Sequence, residues 1–184
     1  KHSITALLCT LFTTFCFAEN KVSVIEYCPA PGQFVNTLPI IESEDDVLQK
    51  AQQNLERGSM ISLGAFGGYM VAEFDRPLAN AEGYDLIILG NAFATSAEPG
   101  IVMVSRDANQ NGIADDRWYE IAGSEYARST QNYEITYYRP EADKDTLKEL
   151  KEYIRWSDNQ GNSGWISKNA THLQGYYPAW IDAD

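Results

Sequence analysis

Apolar and polar residues along the chain switch between two periods, and the switch divides it into elements. In "SEDDVLQKAQQNLERG", Val47, Leu48, Ala51 and Leu55 recur at helical spacing and form one apolar stripe. Ser43 is placed to cap this helix, Asp46 completes a capping box, acids fill the first turn and Gly58 stops it. The pattern predicts a helix over 44–57. A second helical spacing, Leu147, Leu150 and Ile154 in "DKDTLKELKEYI", predicts a short surface helix over 143–154.

Elsewhere the period shortens to two. "VSVIEY", "MISLGA", "GYMVAEF", "DLIILGNAF", "GIVMVSRD", "RWYEIAGS", "YEITYYR", "IRWSD" and "GWISKN" are rich in β-branched and aromatic residues, and most are bounded by Gly, Pro, Asn or Asp. Gly68–Phe74, Asp85–Phe93, Gly100–Asp107 and Trp118–Ser124 are expected to be strands. Leu86, Ile88, Val102 and Val104 alternate with Ile87, Leu89, Met103 and Ser105, so at least one set should face a core. The 85–93 run is apolar on both faces, which predicts a central, covered strand. Eight or nine short strands with one or two short helices indicate a mainly β chain, a sandwich or a barrel.

The first eighteen residues follow neither period. Lys1 and His2 precede the uncharged run "ITALLCTLFTTFCFA", too short to span a bilayer as a lone anchor, and "CFA" offers small residues where a signal peptidase reads. Residues 1–18 are therefore expected to be a secretory signal peptide. Acylation at Cys16 is the alternative, disfavoured by the bulky Phe15 before it. The remaining 19–184 carry no repeat, linker or low-complexity stretch and are expected to form a single β-sandwich domain, with no transmembrane segment after cleavage.

Charge and cysteine content narrow the function. The whole chain carries a formal charge of −12; without residues 1–18 it has 13 basic and 26 acidic side chains. A surface this acidic repels phosphate backbones, which argues against nucleic acid and suits cation binding. Cys28 alone remains of three cysteines, so no intrachain disulfide braces the loops.

One stretch could supply that brace. "DANQNGIADD" places Asp107, Asn109 and Asn111 at alternate positions, then Gly112 for a sharp turn and Ile113 to offer its carbonyl. Asp115 or Asp116 would close the shell. Calcium takes six to eight oxygens, and this spacing follows an EF-hand loop up to its twelfth position. There Trp118 replaces the bidentate Glu, and the flanks read as strands, so the loop is EF-hand-like and not an EF-hand. A turn of Asn, Asp and Gly explains single residues here, but not five oxygen-bearing side chains in ten positions. Zinc is disfavoured, since His172 is the only histidine beyond residue 18.

Catalytic signals are thin. Cys28 has His172 as its only possible histidine partner and reads as a packed thiol. "GNSG" lacks the Gly-x-Ser-x-Gly frame of a nucleophile elbow, and Glu98, Glu120, Glu125 and Glu134 show no marked pair. The chain reads as a non-enzyme. "NAT" at 169–171 matches a glycosylation sequon by pattern only. Aromatics gather in the C-terminal half, and Trp165, Tyr176 and Tyr177 sit beside turn residues, where an exposed ring can stack on a sugar or another flat ligand.

The run from Gly64 to Ser124, "GAFGGYMVAEFDRP" through "GYDLIILGNAF" and "EPGIVMVSRDANQNGIADDRWYEIAGS", resembles a family of secreted cell-surface proteins of gut Gram-negative commensals. "YCPAPGQFVN", "IRWSDNQGNSGWISKN" and "YYPAWI" extend the resemblance over most of the chain. It implies a jelly-roll sandwich like that of galactose-binding-type domains, at the outer surface or secreted, with the periplasm as another location. Members continue beyond the position of Asp184, so the resemblance also implies a fragment or a shortened relative. The function expected is a non-catalytic module, braced by calcium, that binds a glycan or another extracellular ligand. A surface accessory of an outer-membrane nutrient (for example corrinoid) uptake system is the alternative, and a self-associating structural adhesin a third class.

Overall fold

A computed structural model describes residues 21–37, 44–141 and 149–181. The expected signal peptide, the capping Ser43 and Leu147 lie outside the described residues. The chain is mainly β, with one α-helix and several small antiparallel sheets. It clusters into two compact units. One holds the chain up to Ile25 with Val71–Ser129, the other Glu26–Met70 with Thr130–Asp184.

Strands β1 (Val22–Cys28) and β2 (Tyr69–Phe74) pair, and the chain passes from one unit to the other within each. Asp75 N–H bonds the Lys21 carbonyl at one end and the Tyr69 hydroxyl reaches Glu26 at the other, so the two run antiparallel. The first unit continues with β3 (Ala92–Phe93) against β4 (Ser96–Ala97), and β5 (Met103–Ser105) against β6 (Trp118–Glu120). In the β5–β6 ladder Met103 faces Glu120, Val104 faces Tyr119 and Ser105 faces Trp118. The unit's small core is Phe74 and Leu78, with Val22 and Leu86 against them.

The helix of the second unit is the element the sequence defines best. It runs Glu44–Glu56 as α1, with Val47 and Ala51 buried. Its end is a Schellman motif: Ser59 N–H reaches the Asn54 carbonyl and Gly58 N–H the Leu55 carbonyl, with Gly58 at φ +63. A three-stranded sheet follows, β7 (Ile135–Tyr138), β8 (Leu150–Asp158) and β9 (Ser163–Lys168), with β8 central. Tyr153, Ile154 and Tyr176 form its core, flanked by Tyr137, Leu150, Ile166 and Tyr177. Opposite Trp156 stands Gly164, where a Cβ would meet the indole at 2.8 Å, so the glycine makes room for the ring.

Three expectations need correction. The helix expected over 143–154 does not extend through its C-terminal part, because Leu150–Ile154 belong to β8. Tyr153 and Ile154 are a β-prone pair buried under Tyr176, and that packing overrides a weak helical spacing. The strand expected over 85–93 is reduced to Ala92–Phe93. Among the described residues no strand pairs with 85–91, and Ile87, Ile88 and Leu89 are 49 %, 43 % and 58 % exposed. A run apolar on both faces forms a covered strand only with neighbours on both faces and both edges. "MISLGA" is likewise irregular. Gly64 adopts φ +74, and the segment is tied to a loop by Ala30 N–H to the Leu63 carbonyl and Ala65 N–H to the Pro31 carbonyl.

Candidate functional site

The loop from Asp107 to Asp116 closes the β5–β6 hairpin, as its flanks predict. Asp107 organises its first half: one carboxylate oxygen accepts Asn111 N–H at 3.1 Å, the other Gly112 N–H at 3.0 Å. Asn109 Oδ1 accepts the same Asn111 N–H at 2.9 Å, and Asn111 Oδ1 accepts Ile113 N–H at 2.8 Å. Gln110 and Gly112 take positive φ, 60° and 71°, which turns the backbone about these side chains. The second half closes back. Asp116 accepts Ala108 N–H at 2.8 Å, and Asp115 accepts the side-chain amides of Asn109 at 3.3 Å and Asn111 at 3.1 Å.

All five oxygen-bearing side chains are therefore tied into one loop by hydrogen bonds. Ile113 is 60 % exposed, so its side chain adds nothing to this network and only its carbonyl can serve as a ligand. Among the described residues no three His, Cys, Asp or Glu side chains come together as a metal group. The three carboxylates of the loop, Asp107, Asp115 and Asp116, are therefore not gathered as such a group; with two amide oxygens and a carbonyl they are nonetheless the hard neutral and anionic oxygens that calcium prefers. Each of these oxygens has two lone pairs, so accepting one N–H leaves a lone pair for a cation. A bound cation would draw Asp115 away from the Asn109 and Asn111 amides, which in this arrangement offset its charge.

The three aromatic candidates diverge. Trp165 on β9 is 44 % exposed and can present its ring. Tyr176 cannot: it is 1 % exposed, edge-on to Tyr153 at 5.7 Å, and its ring fills the core of the second unit. Its backbone is held as well, since its N–H donates to the Tyr153 hydroxyl at 3.3 Å and its carbonyl accepts Gly32 N–H at 2.8 Å. Tyr177 is half-buried and carries the Arg139 guanidinium over its ring at 5.3 Å, so that face is covered.

Other polar groups are fixed by structural work. Asp158, at the β8–β9 turn, accepts Gln160 N–H, Asn162 N–H, the Asn162 amide and the Tyr133 hydroxyl. Desolvation pushes its carboxyl up, but these hydrogen bonds outweigh it and hold the group below the usual carboxylate range. Tyr69 donates to Glu26. That bond, then burial and the charges of Glu26 and Cys28, hold the phenol well above its usual range, which suits no general base. Asn169 Oδ1 accepts Thr171 N–H, the Thr171 hydroxyl and His172 N–H, so the "NAT" segment is a local turn.

Two features escaped the sequence. Beside the loop lies a small, open cleft of about 40 Å³, lined by Ile25, Val71, Glu73, Ser105, Asp107, Gly112–Ala114 and Trp118. Phe34, half-exposed at φ +66, also meets His172 edge-on at 4.5 Å. Glu73 is visible in the sequence as the polar position of a strand, but its approach to a loop more than thirty residues away is tertiary information. No protein-family model matches the chain, and no curated protein matches it. Among the described residues no helix is long and apolar enough to cross a membrane.

Proposed function

We propose that the chain is a non-catalytic, secreted or surface-attached module that binds an extracellular glycan, with a calcium ion bracing its β5–β6 loop. A jelly-roll arrangement of its sheets belongs to the same proposal. One observation carries the calcium reading: Asp107, Asn109, Asn111, Asp115 and Asp116 are tied together by hydrogen bonds inside ten residues that close a two-stranded hairpin. Such a cluster repels itself unless a cation or amide groups neutralise it. A calcium ion held by these side chains and the Ile113 carbonyl would be structural, tying together two three-residue strands that make few ladder bonds of their own.

Binding to the folded state alone stabilises by RT ln(1 + [L]/Kd), about 2.7 kcal/mol at a hundredfold excess over Kd. Calcium should thus raise the melting temperature over that in chelator, magnesium should raise it less because it demands a strict octahedral shell and gives up its waters reluctantly, and Asp107→Ala should erase the difference. Melting curves that coincide in calcium and in chelator, with no heat of calcium binding by calorimetry, would refute the brace.

A further inference from the structure

One face of the three-stranded sheet carries a row of three large side chains. Tyr138 on β7 stands directly opposite Arg155 on β8, and Arg155 opposite Trp165 on β9. Period two turns all three away from the core, since Ile154 beside Arg155 and Ile166 beside Trp165 pack into it. Tyr138 and Trp165 are 41 % and 44 % exposed, and Arg155 is exposed between them. The Arg155 guanidinium lies over the Tyr138 ring at 4.6 Å, and the Tyr138 and Ser157 hydroxyls are hydrogen-bonded at 3.0 Å, so ring and guanidinium are held as one stacked pair. Stacking uses the face of a guanidinium and leaves the N–H fork at its edge. Among the described residues that fork has no hydrogen bond or ion pair. Trp165 has Ser163 and Ser167 two positions away on its own strand, side chains too small to cover an indole. Among the described residues no ring or cation stacks on it.

We infer that this row is a platform for one acidic sugar residue, a uronic acid, with Trp165 stacking on the C–H face of the ring and Arg155 binding its carboxylate. The inference rests on the glycan-binding reading and gives it a place and a ligand class. Directly opposed residues hold their Cβ atoms about 5 Å apart. A ring seated on Trp165 therefore brings a group at its edge over the neighbouring strand, where the fork stands. A guanidinium matches a carboxylate bidentately, and one already stacked loses little freedom on binding. A neutral hexose would leave the fork with no charge to answer it. On β8 the nearest carboxylates, Glu152 and Asp158, are each three positions from Arg155. That is about 10 Å along the strand, past the screening length of about 8 Å at physiological salt, so they do not neutralise it. The net charge of −12 sets the other limit. At long range it repels a polyanion, so nucleic acid and polyuronate fit less well than a single acidic residue in an otherwise neutral glycan.

The test titrates the ¹⁵N-labelled chain, in calcium buffer, with the methyl glycosides of glucuronic and galacturonic acid and with those of glucose and galactose, acetate serving as the control carboxylate. A uronide is expected to shift the Trp165 indole N–H resonance and to bind at least about tenfold more tightly than its neutral counterpart, the worth of one charged hydrogen bond. Arg155→Gln should erase that preference, and Arg155→Lys should restore only part of it, because an ammonium keeps the charge but not the fork. Arg155 is exposed, so both variants should unfold in urea near the wild type; the preference of the wild-type chain tests the assignment without either. Equal binding of uronide and neutral glycoside at Trp165 overturns the acidic assignment. Acetate as effective as the uronide, with the same dependence on Arg155, overturns the sugar. Sugar binding that leaves the Trp165 resonance unmoved overturns the platform and leaves the glycan-binding reading standing. No binding to any member of a glycan array overturns both.

Discussion

Asn36 offers a substitution whose outcome follows from hydrogen-bond direction. Its side-chain amide donates to the Gly175 carbonyl at 2.7 Å and the Tyr177 carbonyl at 2.6 Å, and its Oδ1 accepts Ala179 N–H at 3.0 Å. Gly32 N–H adds a bond to the Tyr176 carbonyl at 2.8 Å. One side chain thus fastens the segment that carries the buried Tyr176 ring. Asn36→Ala loses three bonds at about 1 kcal/mol each, and partial burial lets water recover some of that, so about 2–3 kcal/mol is expected. Asn36→Asp keeps the shape and the Ala179 bond but turns two donors into lone pairs facing two carbonyls. It should cost more than alanine at neutral pH, about 3–5 kcal/mol, although it removes fewer bonds. Protonation would restore one donor. The folded state therefore raises the carboxyl's pKa above its unfolded value, and the variant should be relatively more stable below that unfolded value, losing the advantage as pH rises through the folded one. Urea denaturation of the three proteins at neutral and acidic pH measures this. An aspartate variant as stable as the alanine variant at neutral pH would refute the assigned bond directions.

Two further perturbations probe the frame. Because its hydrogen bonds hold the Asp158 carboxyl below the usual range, its contribution to stability should be present above the unfolded pKa of about 4 and be lost as pH falls through the folded value; acid titration followed by circular dichroism should show a shallower acid limb for Asp158→Asn than for the wild type, and identical limbs would contradict it. Gly64→Ala should cost at least ~3 kcal/mol, since φ is +74 and a Cβ would stand 1.8 Å from the Ala30 carbonyl oxygen, and a denaturant midpoint within error of the wild type would show that the 63–65 segment does not approach that loop so closely.

Local chemistry is the part of this protein that can be read from residues alone. α1 is legible because a stripe, acids in the first turn and Gly58 all concern neighbours within a few positions, and the Schellman bonds at Ser59 and Gly58 follow from them. The Asp107–Asp116 turn is legible for the same reason: its spacing fixes which side chain can reach which N–H two to five residues on. What depends on distant partners is not. The alternation over 85–91 records residues that suit a strand, but the ladder that would make one must come from elsewhere in the chain. Tyr176 shows the same limit at a single ring. Sequence places it beside Gly175 in a turn, yet the hydroxyl of Tyr153, twenty-three positions away, accepts its N–H at 3.3 Å and their rings pack edge to face. Glu73 is the converse case. Its outward position on β2 is a matter of period two, whereas its place beside Trp118 and Ser105 depends on how the Val71–Phe74 part of β2 lies with β5 and β6 in the first unit. A cleft of that kind is assembled by tertiary structure, so the calcium loop can be proposed from ten consecutive letters while the cleft beside it cannot.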